Sequence, residues 1–241
     1  MSGTPPGTLW GIGVGPGDPE LMTLKAARLV RAAHVVAYPA PDTGDSFARA
    51  IAAGMIAPGA VEIPMSIPMR PDRCPAQEVY AEAARAIAGH LEGGTDVVVL
   101  CEGDPFFYGS FMYLHARLAG RYPVEVVPGV SSLGACAAAL GRPLVARNGV
   151  LTVLPGPLPD AELGPRIEAA DAVALLKVGR HMPRLRALIG SLGLAARAAY
   201  VERASLPQAR ACPLAEAPDE APYFSTILIS RTEDPWLRSS A

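Results

Sequence analysis

Short apolar runs alternate along this chain with longer segments in which apolar residues recur every three or four positions. The short runs predict buried strands and the longer segments predict amphipathic helices. Strands are predicted at Thr8 to Val14, Val35 to Tyr38, Val61 to Pro64, Asp96 to Cys101, Val124 to Val127, Val150 to Leu154, Ala172 to Leu176, Ala199 to Glu202 and Phe224 to Ser230. The clearest helices are predicted at Met22 to Ala33, Ala76 to Leu91 and Phe107 to Ala119. Such alternation is typical of an α/β protein with a largely parallel sheet.

The length of 241 residues suits one large domain or two small ones. Glycine, proline and small residues loosen the pattern between Gly120 and Arg147, and we place a boundary near Val127. The predicted domains are residues 1–127 and residues 128–241. Closely spaced prolines also predict a loop from Pro64 to Pro75, which could act as a lid.

Composition narrows the possible functions. Half of the residues are hydrophobic and 18% are charged, as in a globular protein. The net charge of -2 disfavours nucleic-acid binding, which needs clustered basic residues. The cysteines and histidines are scattered without metal-ligand spacing, so a metal-free protein with reduced, buried cysteines is expected. No apolar run approaches the roughly 20 residues of a membrane span, and no basic leader precedes one, which predicts a cytoplasmic location.

A glycine-rich loop follows the first predicted strand. Four glycines lie between Gly11 and Gly17, more than a turn requires, although neither a dinucleotide fingerprint nor a phosphate-binding P-loop fits the spacing. Because glycine lets the backbone approach a ligand closely, the loop is a candidate binding element. The alternative is a plain turn with Asp18 as a helix N-cap and Pro19 as the first helical residue, and the two interpretations are compatible.

A second polar loop, Cys101 to Gly109, follows the strand ending at Cys101. The carboxyl ends of parallel strands are where α/β sheets bind ligands. Glu102 and Asp104 could accept hydrogen bonds, and the aromatic residues from Phe106 to Tyr108 offer flat apolar surface for a purine. The alternative makes Asp104 a helix N-cap and assigns the aromatic residues to core packing.

Three further loops also follow predicted strands. Ser131 and Ser132 open an alanine-rich helix and miss the spacing of a hydrolase nucleophile elbow by one residue. Lys177 to His181 and Glu202 to Ser205 follow strands of the second half, although single basic residues are more often solvated surface charges.

In this combination and order, the five loops resemble those of the tetrapyrrole methylase family, whose members use S-adenosylmethionine (SAM) to methylate carbon atoms of porphyrin or corrin precursors. The resemblance covers roughly Thr8 to Arg231. It implies two α/β domains of the tetrapyrrole methylase type, with the SAM site in the cleft between them, and a homodimer.

The resemblance also implies site residues. SAM contacts carried over from the matching loops fall on Pro16, Glu102, Gly103, Asp104, Phe107, Ser131, Ser132, Val178 and Ala204. The substrate of such an enzyme carries several carboxylates, so basic side chains are expected to bind it, with these first candidates: Arg147, Lys177, Arg180 and Arg203. No catalytic base is assigned, because methyl transfer to an electron-rich pyrrole depends mainly on positioning.

Within the family, Tyr38-Pro39 departs from the uroporphyrinogen-methylating branch, which has an important aspartate after the tyrosine. This pair and the loops near Phe106, Lys177 and Tyr200 resemble the branch that methylates carbon 20 of precorrin-2. Whether the substrate carries cobalt stays open. The alternatives are another tetrapyrrole methylase, a methylase of protein histidine derivatives or of ribosomal RNA, a catalytically silent SAM or tetrapyrrole sensor, and a nucleotide-binding enzyme with an unusual glycine loop.

Overall fold

The computed structural model describes residues 4–42, 45–67 and 74–231. The chain divides into two compact units, the first ending at Ser131 and the second beginning at Ser132. This division falls a few residues after Val127, where the last strand of the first unit ends.

The described part of the first unit contains a five-stranded, entirely parallel sheet with the order β3-β2-β4-β1-β5. Its strands are β1 (Leu9–Gly13), β2 (Val35–Pro41), β3 (Val61–Ile67), β4 (Val97–Cys101) and β5 (Val124–Val127). Its helices are α1 (Leu24–Ala32), α2 (Phe47–Ala52), α3 (Cys74–Glu92) and α4 (Phe111–Leu118). Because every strand runs the same way, the carboxyl ends of all five lie at one edge of the sheet.

Both faces of this sheet are buried. Val97 and Val99 of β4 pack in a cluster with residues of α3 and α4, whereas Val98 and Leu100 pack with residues of α1 and α2. Successive residues of a strand point to opposite faces, so a strand covered on both sides must be apolar throughout. The uninterrupted apolar sequence of β4 therefore reflects its central place in the sheet.

The prolines near β3 lie where the sheet tolerates them. Pro64 lies inside β3, an edge strand, so the predicted loop is wrong over Pro64 to Ile67. Pro39 lies in β2 beyond its pairing with β4, which involves only Val35 to Ala37. An unpaired strand side has no hydrogen bond for proline to remove. Residues 68–73 of the predicted loop lie outside the described residues. Helix α3 begins at Cys74 and has Pro75 in its first turn, where a helix tolerates proline.

The second unit contains a mixed sheet with the order β6-β7-β10-β8-β9, of which only the β6–β7 pair is parallel. The strands are β6 (Leu151–Pro155), β7 (Ala172–Leu176), β8 (Ala198–Glu202), β9 (Arg210–Pro213) and β10 (Ser225–Ser230). The prediction of a largely parallel sheet is therefore wrong for this unit. Residues 203–209 between β8 and β9 are too few for the helical crossover that a parallel pair needs, so these strands form an antiparallel pair.

Helices cover both faces of the second sheet as well. They are α5 (Ser132–Leu140), α6 (Asp160–Ala169) and α7 (Met182–Ser191). Leu175 lies in a core cluster with residues of α6 and α7, and Leu176 lies in another with residues of α5. Cys101 and Cys136 are buried free thiols, as predicted, whereas Cys212 is only half-buried. Across the described ranges, no helix has both the length and the apolar character to cross a bilayer.

Candidate functional site

Three loops of the first unit touch one another at the carboxyl edge of its sheet. Gly15 and Gly103 exchange backbone hydrogen bonds of 3.3 and 2.8 Å. A Cβ atom added to Gly129 would lie 1.9 Å from the carbonyl oxygen of Gly103 and 2.8 Å from the Cα of Gly13. We call Gly13, Gly103 and Gly129 the glycine contact. At Gly13 and Gly129 an added Cβ would collide with backbone atoms, whereas Gly103 has a φ of 63°, a left-handed conformation that favours glycine.

Asp104 ties the second loop to the third. Its Oδ1 accepts hydrogen bonds from the backbone N–H groups of Phe106 (2.9 Å) and Phe107 (3.0 Å), and its Oδ2 accepts one from Gly129 (3.0 Å). The following helix begins only at Phe111, so the predicted helix N-cap at Asp104 is wrong. The carboxylate instead closes a turn and fastens the glycine contact.

Glu102 lies immediately after β4 in a poorly hydrated position. Burial raises the pKa of its carboxyl group, and hydrogen bonds from the backbone N–H groups of Glu102 itself and of Ala48 partly offset this increase. Ala48 belongs to α2, whose N-cap Ser46 accepts a hydrogen bond from the N–H of Arg49 at 3.2 Å. The hydroxyl of Ser46 donates to the carbonyl of Pro39 at 2.5 Å. The loop after β2 is thereby linked to the site.

A polar network beside this loop was not predicted from the sequence. Arg49 forms a two-point ion pair with Glu62, with N···O distances of 2.6 and 2.8 Å. The hydrogen bond from Arg49 lowers the pKa of Glu62, while burial, followed by hydrogen bonding to Glu62, raises the pKa of Tyr38. Ser46, a residue type favoured at helix N-caps, was the available signal for α2, but nothing in the sequence indicated that Arg49 would pair with Glu62.

The aromatic residues of the second loop face solvent. Phe106, Phe107 and Tyr108 are 46%, 39% and 44% exposed, so the core-packing alternative is wrong for this segment. Tyr108 has a φ of 57°, a left-handed conformation that is uncommon for a non-glycine residue. Such conformations cost free energy and tend to persist at functional sites.

In the second unit, two loops flank the segment 222–225 that enters β10. The N–H of Gly179 donates to the Oγ of Ser225 at 3.3 Å, and the N–H of Arg203 donates to the carbonyl of Phe224 at 3.0 Å. Lys177 and Arg203 adopt left-handed backbone conformations, with φ of 58° and 49°. Three chain segments are thereby joined at the edge formed by the carboxyl ends of β7 and β8.

Basic residues proposed for substrate binding fall into two groups. Lys177, Arg180 and Arg203 follow the carboxyl ends of β7 and β8 and lie at one edge of the sheet. Arg147 precedes β6 and lies near the amino end of β7, because the neighbouring Val150 N–H donates to Asp171 at 2.9 Å. The five-residue strand β7 separates the edge at its amino end from the edge at its carboxyl end by roughly 16 Å. The second unit therefore brings together three of the four candidates and keeps Arg147 apart.

The predicted SAM-contact residues are divided between the units. Gly103 belongs to the glycine contact. The half-buried Pro16 and Ser131 lie near this contact along the chain, as do Glu102, Asp104 and Phe107. Ser132 begins α5 in the second unit. The side chains of Val178 and Ala204 are packed in core clusters, so these residues can offer a ligand only backbone groups. In the described ranges, no three His, Cys, Asp or Glu residues are grouped so as to hold a metal ion.

The fold and the loops have known counterparts. Residues 8–218 match the family of tetrapyrrole (corrin/porphyrin) methylases, and the chain belongs to this family. A solved structure of uroporphyrin-III C-methyl transferase from Thermus thermophilus, complexed with S-adenyl homocysteine, matches with a TM-score of 0.67 and 28% identity over 93% of this chain and 97% of that one. The predictions of the family and of its α/β fold are confirmed.

Two curated relatives are similar along their whole length. The precorrin-2 C(20)-methyltransferase of a Sinorhizobium species is 43% identical over 97% of this chain and 99% of the relative. The cobalt-precorrin-2 C(20)-methyltransferase of Salmonella typhimurium is 31% identical over 93% and 97%, respectively.

Proposed function

We propose that this protein transfers a methyl group from SAM to carbon 20 of precorrin-2, giving precorrin-3A, in cobalamin biosynthesis. The observation that carries this proposal is the end-to-end identity of 43% with the precorrin-2 C(20)-methyltransferase of Sinorhizobium. The structural neighbour that holds S-adenyl homocysteine supports SAM as the methyl donor.

The residues of the first unit fit a nucleoside ligand of this kind. Gly103 and Gly129 are only half-buried and carry no side chain, which permits a ligand to approach their backbone closely. The exposed ring of Phe107 offers a flat apolar surface, and the Glu102 carboxyl group can accept a hydrogen bond from a ligand amine or hydroxyl. We assign Pro16, Gly103, Ser131, Ser132, Val178 and Ala204 as further contacts, through backbone groups where their side chains are buried.

Methyl transfer from sulfur to carbon is an in-line displacement that requires the two reacting atoms to be held about 3 to 3.5 Å apart and aligned. SAM, when bound, supplies an activated methyl group. The protein's part is to fix both partners: Asp104 holds two loops in register, and Lys177, Arg180 and Arg203 bind substrate carboxylates. No described residue has to act as a metal ligand in this scheme.

Metal-free precorrin-2 is the better candidate substrate. The chain is 43% identical to a relative named for precorrin-2 and 31% identical to one named for cobalt-precorrin-2. We therefore expect the cobalt-free compound to be methylated faster, and the cobalt compound is the alternative.

The test is incubation with enzymatically made precorrin-2, with and without cobalt, and SAM labelled with ¹³C in its methyl group. Mass spectrometry should detect one added methyl group, and NMR should place the label on carbon 20. Addition at another ring carbon would contradict the ring position and leave the family assignment intact. Calorimetric binding of S-adenosylhomocysteine without any turnover would instead indicate a non-catalytic binding protein.

A homodimer in the cytoplasm that binds no nucleic acid is also proposed. Light scattering coupled to gel filtration tests the dimer, and filter binding with ribosomal RNA tests the rival RNA methylase. Retention of RNA at physiological salt would argue against the tetrapyrrole assignment.

A further inference from the structure

We propose that Tyr223 and Phe224 form an aromatic wall against which the tetrapyrrole substrate packs, while Arg180 and Arg203 bind its carboxylates. The inference rests on the proposed function and adds a substrate-binding element to it. The two rings lie edge to face with centroids 5.1 Å apart. Tyr223 is 53% exposed and Phe224 is 39% exposed, whereas Tyr200, in the same sheet region, is fully buried. An exposed aromatic pair is costly in water and gains free energy when a flat apolar ligand covers it.

The backbone that carries the pair is held in place. Ser225, which is buried, donates its N–H to the carbonyl of Tyr223 at 3.0 Å and its hydroxyl to the carbonyl of Pro222 at 2.7 Å. The same hydroxyl accepts from Gly179, and the carbonyl of Phe224 accepts from Arg203. These bonds connect the pair to both neighbouring loops, so the backbone that carries the rings is fixed. A pre-organised surface of this kind loses little entropy on binding.

The two loops that flank the pair carry exposed basic residues. Arg180 and Arg203 are exposed, and neither guanidinium forms an ion pair with any other side chain in the described ranges. Burial lowers the pKa of His181, and the charges of Arg184 and Arg180 lower it further, as expected where the local potential is positive. Of the acids nearby along the chain, Glu202 accepts a hydrogen bond from Tyr200 at 2.5 Å, Asp219 pairs with Arg186 at 2.5 Å, and Glu220 is exposed. A macrocycle with an apolar face and carboxylates at its rim matches this combination.

The position of the pair along the chain favours the substrate over SAM. The match to the whole methylase family ends at residue 218, before Tyr223. The similarity to the precorrin-2 relative covers 97% of the chain and so extends further. Family members share the methyl donor and differ in the tetrapyrrole they methylate. An element outside the shared region therefore suits substrate recognition.

The variants Tyr223→Ala and Phe224→Ala, alone and combined, test the wall. Phe224→Leu keeps apolar bulk and should be less affected. Val150→Ala is the matched control, since it removes an exposed apolar side chain from the opposite edge of the same sheet. We expect the double variant to raise the apparent KM for precorrin-2 about tenfold, with kcat within about twofold of the wild type. The Kd for S-adenosylhomocysteine, measured by calorimetry, should stay unchanged.

An unchanged KM in the double variant would overturn the inference, as would an equal loss of S-adenosylhomocysteine affinity, which would assign the rings to the nucleoside. A change in the mass measured by light scattering would assign them to contact between copies of the chain and would overturn it too. If the wild type transfers no methyl group, retention of precorrin-2 in equilibrium ultrafiltration replaces the KM. If the wild type retains precorrin-2 and the double variant does not, the aromatic wall is supported even though the proposed reaction is wrong. Equal retention, or none by the wild type, would overturn the wall.

Discussion

The glycine contact makes Gly129→Ala the most informative single substitution in the first unit. The new Cβ would lie 1.9 Å from the Gly103 carbonyl oxygen, whereas ordinary contact begins near 3.4 Å, so the two loops must separate by about 1.5 Å. The neighbouring atoms are backbone and cannot rotate away. Such a separation also strains the 3.0 Å hydrogen bond between Gly129 and the Asp104 carboxylate. Overpacking and the weakened charged hydrogen bond together should cost about 3 to 5 kcal/mol of unfolding free energy.

Denaturant unfolding followed by circular dichroism measures this loss, and calorimetry with S-adenosylhomocysteine measures the effect on the site. Gly89→Ala is the control within the same unit, because a Cβ there meets nothing within 4 Å and the residue lies in α3. Replacing a helical glycine with alanine should stabilise the protein by about 0.5 to 1 kcal/mol. If Gly129→Ala unfolds at the wild-type midpoint and binds the nucleoside normally, the loops do not touch as described.

Three further substitutions follow from the same geometry. Asp104→Ala leaves three backbone N–H groups without their acceptor and should lower the unfolding free energy by about 2 to 4 kcal/mol, measured by denaturant titration; a loss below about 0.5 kcal/mol would contradict its role. Glu102→Gln should be more stable than the wild type at about pH 8, because the pKa of Glu102 is raised above 4.5 in the folded protein and its ionisation therefore costs stability. The difference in unfolding free energy should vanish near pH 4, where the carboxyl group is protonated in both states. A difference that stays constant across this range would refute the raised pKa of Glu102. Arg203→Ala should raise the apparent KM for precorrin-2 more than it changes SAM affinity, and an equal loss of both in steady-state kinetics and calorimetry would argue against a substrate role.

The first sheet could be predicted well because its strands carry a strong local signal. β4 is apolar on both faces and is bounded by Asp96 and Glu102, so its limits are visible in the sequence. β5 occupies the predicted residues, Val124–Val127. Strand β3 is longer than predicted. Proline is excluded only where a strand edge is paired, and the outer edge of β3 is unpaired, so Pro64 does not end the strand. That property depends on strand order, which is not encoded locally.

The second sheet shows what the hydrophobic pattern leaves undetermined. The pattern located β7 and β10, but apolar periodicity is the same in parallel and antiparallel strands. Direction depends on the connections, and β10 lies antiparallel between β7 and β8. This reversal places residues 222–225 at the same edge as the loops after β7 and β8. The aromatic pair was missed for that reason, since its neighbours are distant in sequence.

The site itself was predicted as a set of loops but not as a set of contacts. Each loop could be recognised from its glycines and polar residues, whereas the contact of Gly103 with Gly129 joins positions that no local pattern relates. The contacts that were found are mostly made by backbone atoms or hold backbone in place, and Lys177 and Arg203 are held in uncommon backbone conformations. Such an arrangement fixes positions rather than supplying acid or base. Fixed positions are sufficient for a reaction that needs only the alignment of a charged methyl donor with an electron-rich carbon.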